Sequence, residues 1–129
     1  MKFYHIILAA FVLSFLSACS NIQPLYNIEN TPIVYNLKSN QVKSAIIQSG
    51  SNRGWIMKEI NPGEIRGELF VRGHQAVIDV SYTDKTYSIN YVSSNNLKYK
   101  DGTIHRNYNR WINNLDFSIK RALAQLSAQ

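Results

Sequence analysis

Apolar and polar positions change their spacing several times along this chain, and each change marks an element. Ile6 to Leu16 is an apolar run behind the single charge of Lys2. It is too short to cross a ~30 Å hydrocarbon core as a helix. Small residues and then the polar Ser20-Asn21-Ile22-Gln23-Pro24 follow it, the order of an export signal. Residues 20–38 are rich in Asn, contain Pro24 and Pro32, and keep no period, so they read as an extended linker. Within them Ile33-Val34-Tyr35 is an apolar patch suited to an edge strand or a strap on the domain.

Helical spacing begins after Ser39, a good N-cap, with Val42, Ala45, Ile46 and Ser49, and stops at Gly50. Three turn signals then divide the chain: Asn61-Pro62-Gly63-Glu64, Gly73-His74 and Thr83-Asp84-Lys85-Thr86. The alternating, β-rich runs around them, 55–60, 65–72, 75–82 and 87–92, predict a four-stranded antiparallel meander. A second helix is predicted from about His105 to Ala124. Its apolar residues, including Tyr108, Trp111, Ile112, Leu115 and Ile119, fall within one arc of ~120°, as for a helix lying on a core. The fold class is α+β, of order α-β-β-β-β-α, with the helices packed on the sheet.

The turns set an expected register. Pro62-Gly63 as the centre of a type II turn places Ile60 opposite Ile65. A Gly73-His74 hairpin loop places Arg72 opposite Gln75, and the last turn places Tyr82 opposite Tyr87. One face then carries Ile56, Lys58 and Ile60 with Ile65, Gly67 and Leu69, followed by Ile78, Val80 and Tyr82 and by Tyr87, Ile89 and Tyr91. This is the expected core face. On the other face an apolar row, Trp55, Phe70, Val77 and Val92, borders polar rows in which Glu68 stands opposite Asp79. An apolar row on a polar face is either a minor core under the strap or the first helix, or an exposed docking patch.

Composition adds an address and a charge. The chain has 129 residues and one cysteine, so no disulfide or cysteine-based metal site can form within it. That cysteine ends Leu16-Ser17-Ala18-Cys19, which resembles the lipobox of bacterial lipoproteins. The resemblance implies cleavage before Cys19, acylation of its sulfur and new amino terminus, and a stable anchor, since each buried methylene contributes ~0.8 kcal/mol. Ser20, where an aspartate would favour inner-membrane retention, implies the outer membrane with the domain in the periplasm. The expected organisation is a signal over 1–18, a lipidated tether over 19–38 and one domain over 39–126. The run from Gly54-Trp55 through Arg72-Gly73-His74 to His105-Arg106-Asn107-Tyr108 is also similar to small proteobacterial lipoproteins without an assigned activity. That similarity transfers no site residue.

The 14 Lys and Arg residues exceed the 8 Asp and Glu. Beside a membrane this excess attracts anionic headgroups or cell-wall polymer, and export argues against nucleic acid. Lys98, Lys100, Arg106 and Arg110 form the candidate anion surface, aided by the start of the second helix. Trp55, Phe70, Val77, Val92 and Phe117 are the candidates for docking a protein partner, Phe117 because it lies in the polar arc of that helix. Glu68 and Asp79 are the candidate acid–base or metal pair, with Arg66 and Arg72 on the same strand face as neutralising charges. His74 and His105 have no metal-ligand spacing, no serine sits in a Gly-x-Ser-x-Gly elbow, and there is no phosphate loop. The expectation is a non-enzymatic binding or assembly module without cofactor or metal, docking an envelope protein or capturing an anionic envelope ligand.

Overall fold

The computed structural model describes residues Ser20–Gln129; the signal and Cys19 lie outside the described residues. The fold is α+β. Among the described residues seven strands and two helices follow one another as β1 (Ile22–Pro24), β2 (Ile28–Pro32), α1 (Ser39–Asn52), β3 (Ile56–Asn61), β4 (Glu64–Val71), β5 (His74–Tyr82), β6 (Thr86–Asn95), β7 (Thr103–His105) and α2 (Arg106–Ser127). Strands β3 to β6 form the expected meander, and β2 adds to its β6 edge, giving the order β2-β6-β5-β4-β3. β1 pairs separately with β7.

The segment expected to be a linker is thus part of the domain. Ile33 and Leu37 enter the core. The buried Asn109 of α2 donates through Nδ2 to the carbonyl of Pro24 at 2.9 Å and to Gln23 Oε1 at 3.3 Å. Such short strands carry no readable alternation, and their pairing is made by residues far along the chain.

Both helices lie on one face of the sheet. Val42, Ala45 and Ile46 of α1 and Tyr108, Ile112, Leu115 and Ile119 of α2 share one cluster with Ile65, Leu69, Ile78, Val80 and Ile89. The second face is open, and neither helix nor strap covers it as a minor core. Two irregularities decide which side chains reach each face. Asn61 pairs with Glu64 around Pro62-Gly63, but Glu59, not Ile60, stands opposite Ile65, so Ile60 is an extra residue in β3. A one-residue shift exchanges the faces of a strand. Ile56 and Lys58, expected in the core, therefore lie on the open face, and Ile56 is 63% exposed. Met57 and Glu59 turn toward α1, where Glu59 pairs with Lys43. Trp55 is 3% exposed and packs into the core. Gly67 makes this possible: a Cβ there would lie 3.0 Å from Met57 Sδ and 3.3 Å from Trp55 Cε3.

The β4–β5 turn is Arg72-Gly73, not Gly73-His74, with both residues left-handed (φ 51° and 79°) and Val71 opposite His74. That is the backbone of a two-residue I′ hairpin. The pairing moves by two residues, so the expected core face of β4 and β5 survives while every partner changes. In β6, Tyr82 faces Tyr87 as expected, but a bulge at Val92 places Ser93 opposite Val77.

Candidate functional site

The register corrections dismantle the acid–base pair. Glu68 faces Val77, and Asp79 faces Arg66, whose Nε and Nη2 each donate to a carboxylate oxygen at 2.9 Å. This is a bidentate ion pair on the open face, in which one guanidinium donates to both carboxylate oxygens of Asp79. Among the described residues no group of His, Cys, Asp and Glu is arranged to hold a metal.

The apolar row is also broken. Trp55 belongs to the core because of the β3 bulge, and Val77 is only 9% exposed. Phe70, 59% exposed, and Val92 remain on the open face, joined there by Ile56. Phe117 is exposed on α2, as its place in the polar arc predicts.

Lys98, Arg106 and Arg110, by contrast, come together with His74 at one end of the domain, whereas Lys100 lies in the tight turn before β7, beside Asp101. His74 Nδ1 lies 2.6 Å from the carbonyl of Asn96, and Asn96 Nδ2 donates to that of Gly73 at 3.4 Å, so the β4–β5 turn is tied to the loop after β6. The His105 amide donates to the carbonyl of Leu97 at 2.9 Å, which brings the same loop to the start of α2. His105 caps that helix, its Nδ1 accepting from the Asn107 amide at 3.1 Å. Its pKa is depressed, first by burial and then by the charges of Lys98, Arg106, His74 and Arg110. No carboxylate is among the described groups that shift it, and the first turn of α2 contains no acidic residue. Lys98, Lys100, Arg106 and Arg110 are all exposed.

Beside this end a hollow of about 320 Å³ is lined by Val71, Arg72, His74, Asn107, Arg110 and Trp111. Arg72, His74 and Trp111 were absent from the expected anion site. The two-residue turn brings the first pair there, and its signal in the sequence was the glycine at 73, which suits the second place of an I′ loop. Trp111 lies at the rim of the core arc, half-buried, with its ring centroid 6.4 Å from that of His74.

The arrangement is that of an α+β domain with a cationic end and an open sheet face. No known protein family matches the chain, and no curated protein matches it. No helix among the described residues is long and apolar enough to cross a membrane.

Proposed function

We propose that this chain is an outer-membrane lipoprotein, anchored through Cys19 with its domain in the periplasm, that binds phosphate or carboxylate groups of the envelope at its cationic end without catalysing a reaction. The observation that carries this reading is the amide of Arg106 donating to the carbonyl of Asn21 at 2.7 Å. It fixes the chain, two residues from the candidate acyl anchor, to the first residue of α2. Two residues span at most about 7 Å. An anchor at Cys19 would thus hold the start of α2, with Arg106, at about the Debye length from an anionic surface, ~10 Å at 0.1 M salt.

Two measurements test it. Palmitate labelling of the chain is expected in cells and is expected to disappear in Cys19→Ser. The unacylated Cys19→Ser protein is expected to bind phosphatidylglycerol vesicles and not phosphatidylcholine vesicles. Binding should fall about tenfold or more when salt is raised from roughly 0.05 to 0.3 M, and similarly with Arg106→Glu plus Arg110→Glu. Salt-independent binding, or binding unchanged by the double substitution, refutes the anionic reading.

A second reading, docking of an envelope protein, is favoured by the exposure of Ile56, Phe70 and Val92 on the uncovered sheet face. It requires a complex that survives salt and is lost in Ile56→Asp plus Phe70→Asp.

A further inference from the structure

The polar side of α2 that borders the core has an unusual make-up. Asn107, Trp111, Asn114, Ser118, Arg121 and Gln125 recur at helical spacing within an arc of roughly 100°. Three hollows lie in sequence along this stripe. The first is the 320 Å³ hollow at the cationic end. The second, about 160 Å³, lies between Trp111, Asn114 and Arg53 and shares Trp111 with the first. The third, about 270 Å³, lies between Ser118, Arg121 and Gln125 on one side and Gln48, Ser49 and Asn52 of α1 on the other. Arg53 Nε donates to Ser118 Oγ at 2.8 Å, joining the second hollow to the third.

No carboxylate lines any of the three. Among the described residues Arg53, Arg72, Arg110 and Arg121 have no acidic partner, whereas Arg66 is fully engaged by Asp79. A helix face serving only solubility normally carries charges of both signs, which pair at i,i+4. Here amides, hydroxyls and guanidinium groups alternate around one indole. The hydroxyl of Ser49, buried at the wall of the third hollow, also finds no partner within the described fold.

The geometry points to a groove for an extended acidic saccharide chain, running about 27 Å along α2 from Asn107 to Gln125 at 1.5 Å per residue. Amide side chains both donate and accept, as ring hydroxyls do, and arginine forks match carboxylate or phosphate. Trp111 offers an apolar ring edge for a sugar face, with exposed Phe117 at the flank of the stripe. The hollows are shallow, and each is at or below the lower limit for enclosing a small molecule, which suits a chain lying along the surface. The charge spacing argues against nucleic acid. Arg110 and Arg121, about 16 Å apart along the helix axis, have only Arg53 between them in the groove, while a DNA strand carries a phosphate every ~3.4 Å and its single-stranded binders present successive aromatic platforms.

The inference rests on the anionic reading only at the Arg72–Arg110 end, so the two can fail separately. The test titrates the full chain in detergent micelles with a uronic-acid disaccharide, a uronic-acid hexasaccharide, neutral maltohexaose and an oligothymidylate of the hexasaccharide's charge. The readout is tryptophan fluorescence, which reports on two residues, Trp111 at the groove and the buried Trp55. Trp111→Phe is expected to remove the response. The hexasaccharide should bind about tenfold or more tighter than the disaccharide, and maltohexaose should not bind. Arg53→Gln plus Arg121→Gln, both exposed positions, should abolish the gain from length and leave disaccharide binding intact. Equal affinity for the two uronates overturns the groove and leaves the cationic end standing. Equal affinity for the oligothymidylate overturns the saccharide assignment. Absence of any uronate response overturns the groove, and with it the anionic reading if anionic vesicles also fail to bind.

Discussion

Two tyrosines in the core should respond to the same substitution with opposite signs. Tyr108 and Tyr87 are both buried against the helices, but their hydroxyls differ. That of Tyr108 has no hydrogen-bond partner among the described residues, its ring standing edge-on to that of Tyr91 with centroids 5.5 Å apart, whereas that of Tyr87 donates to Asp116 Oδ1 at 2.5 Å. A buried unpaired hydroxyl costs ~1–3 kcal/mol, and a hydrogen bond to a charged group contributes ~1.5–3 kcal/mol. Tyr108→Phe should stabilise the domain by about 1 kcal/mol. Tyr87→Phe should destabilise it by about 2 kcal/mol, the lower part of that range, because Lys120 still pairs with Asp116 at 2.8 Å.

Alkaline pH supplies an independent check on the same pair. Burial raises both phenol pKa values above the ordinary 10, and the Asp116 carboxylate adds to the rise at Tyr87. The unfolded chain loses these protons first. The contribution to stability is therefore whole below pH 10 and declines above it by ~1.4 kcal/mol per pH unit per phenol. Urea denaturation followed by far-ultraviolet circular dichroism at pH 8, 10 and 11 measures both effects. The wild type should lose stability between the last two, and each Phe variant should lose about half as much. If Tyr108→Phe costs as much as Tyr87→Phe, the Tyr108 hydroxyl is satisfied and the argument fails.

His105→Ala should cost about 0.5–1 kcal/mol through loss of the α2 cap. Because the pKa of His105 is depressed, the unfolded chain binds its proton more readily, so this contribution is present above pH ~6.5 and lost as the pH falls. His105→Asn should keep the cap and flatten the difference in stability between pH 7 and pH 5, readable by thermal denaturation. Gly67→Ala should destabilise by roughly 1–2 kcal/mol, since the new methyl meets Met57 and Ile78 at 3.0 and 3.1 Å. A double cycle with Met57→Ala should recover part of that loss, and a neutral Gly67→Ala would show that Met57 yields freely.

Much of the architecture was legible because alternation and turns agree with it: the two helices, the order of the meander and the buried sides of β4, β5 and most of β6 stand as the spacing predicts. What escaped were shifts in pairing that alternation does not encode. Moving the β4–β5 turn back by one residue kept both faces but replaced the Glu68–Asp79 pairing with Arg66–Asp79. The extra residue at Ile60 then exchanged Trp55 and Ile56 between core and surface, which removed the tryptophan from the supposed docking row. β1 and β2 are too short to show a period. The basic residues of the cationic end were readable as exposed charges, but their gathering with Arg72 and His74 depends on which turn closes the hairpin. Asn114, Ser118 and Arg121 were visible only as polar residues beside the core arc of α2, and Arg53 only as a charge in the turn after α1.

The pairing of β1 with β7 has a consequence for the order in which the domain can be assembled. Ile22–Pro24 meets Thr103–His105, and Ile28–Pro32 meets β6, so the earliest strands in the chain find their partners among the latest. Closing so long a loop is entropically costly until the meander between has formed. A chain threaded through a membrane amino terminus first would thus emerge with β1 and β2 unpaired until β6 and β7 had followed. Its own topology would keep it open for as long as it was still in transit.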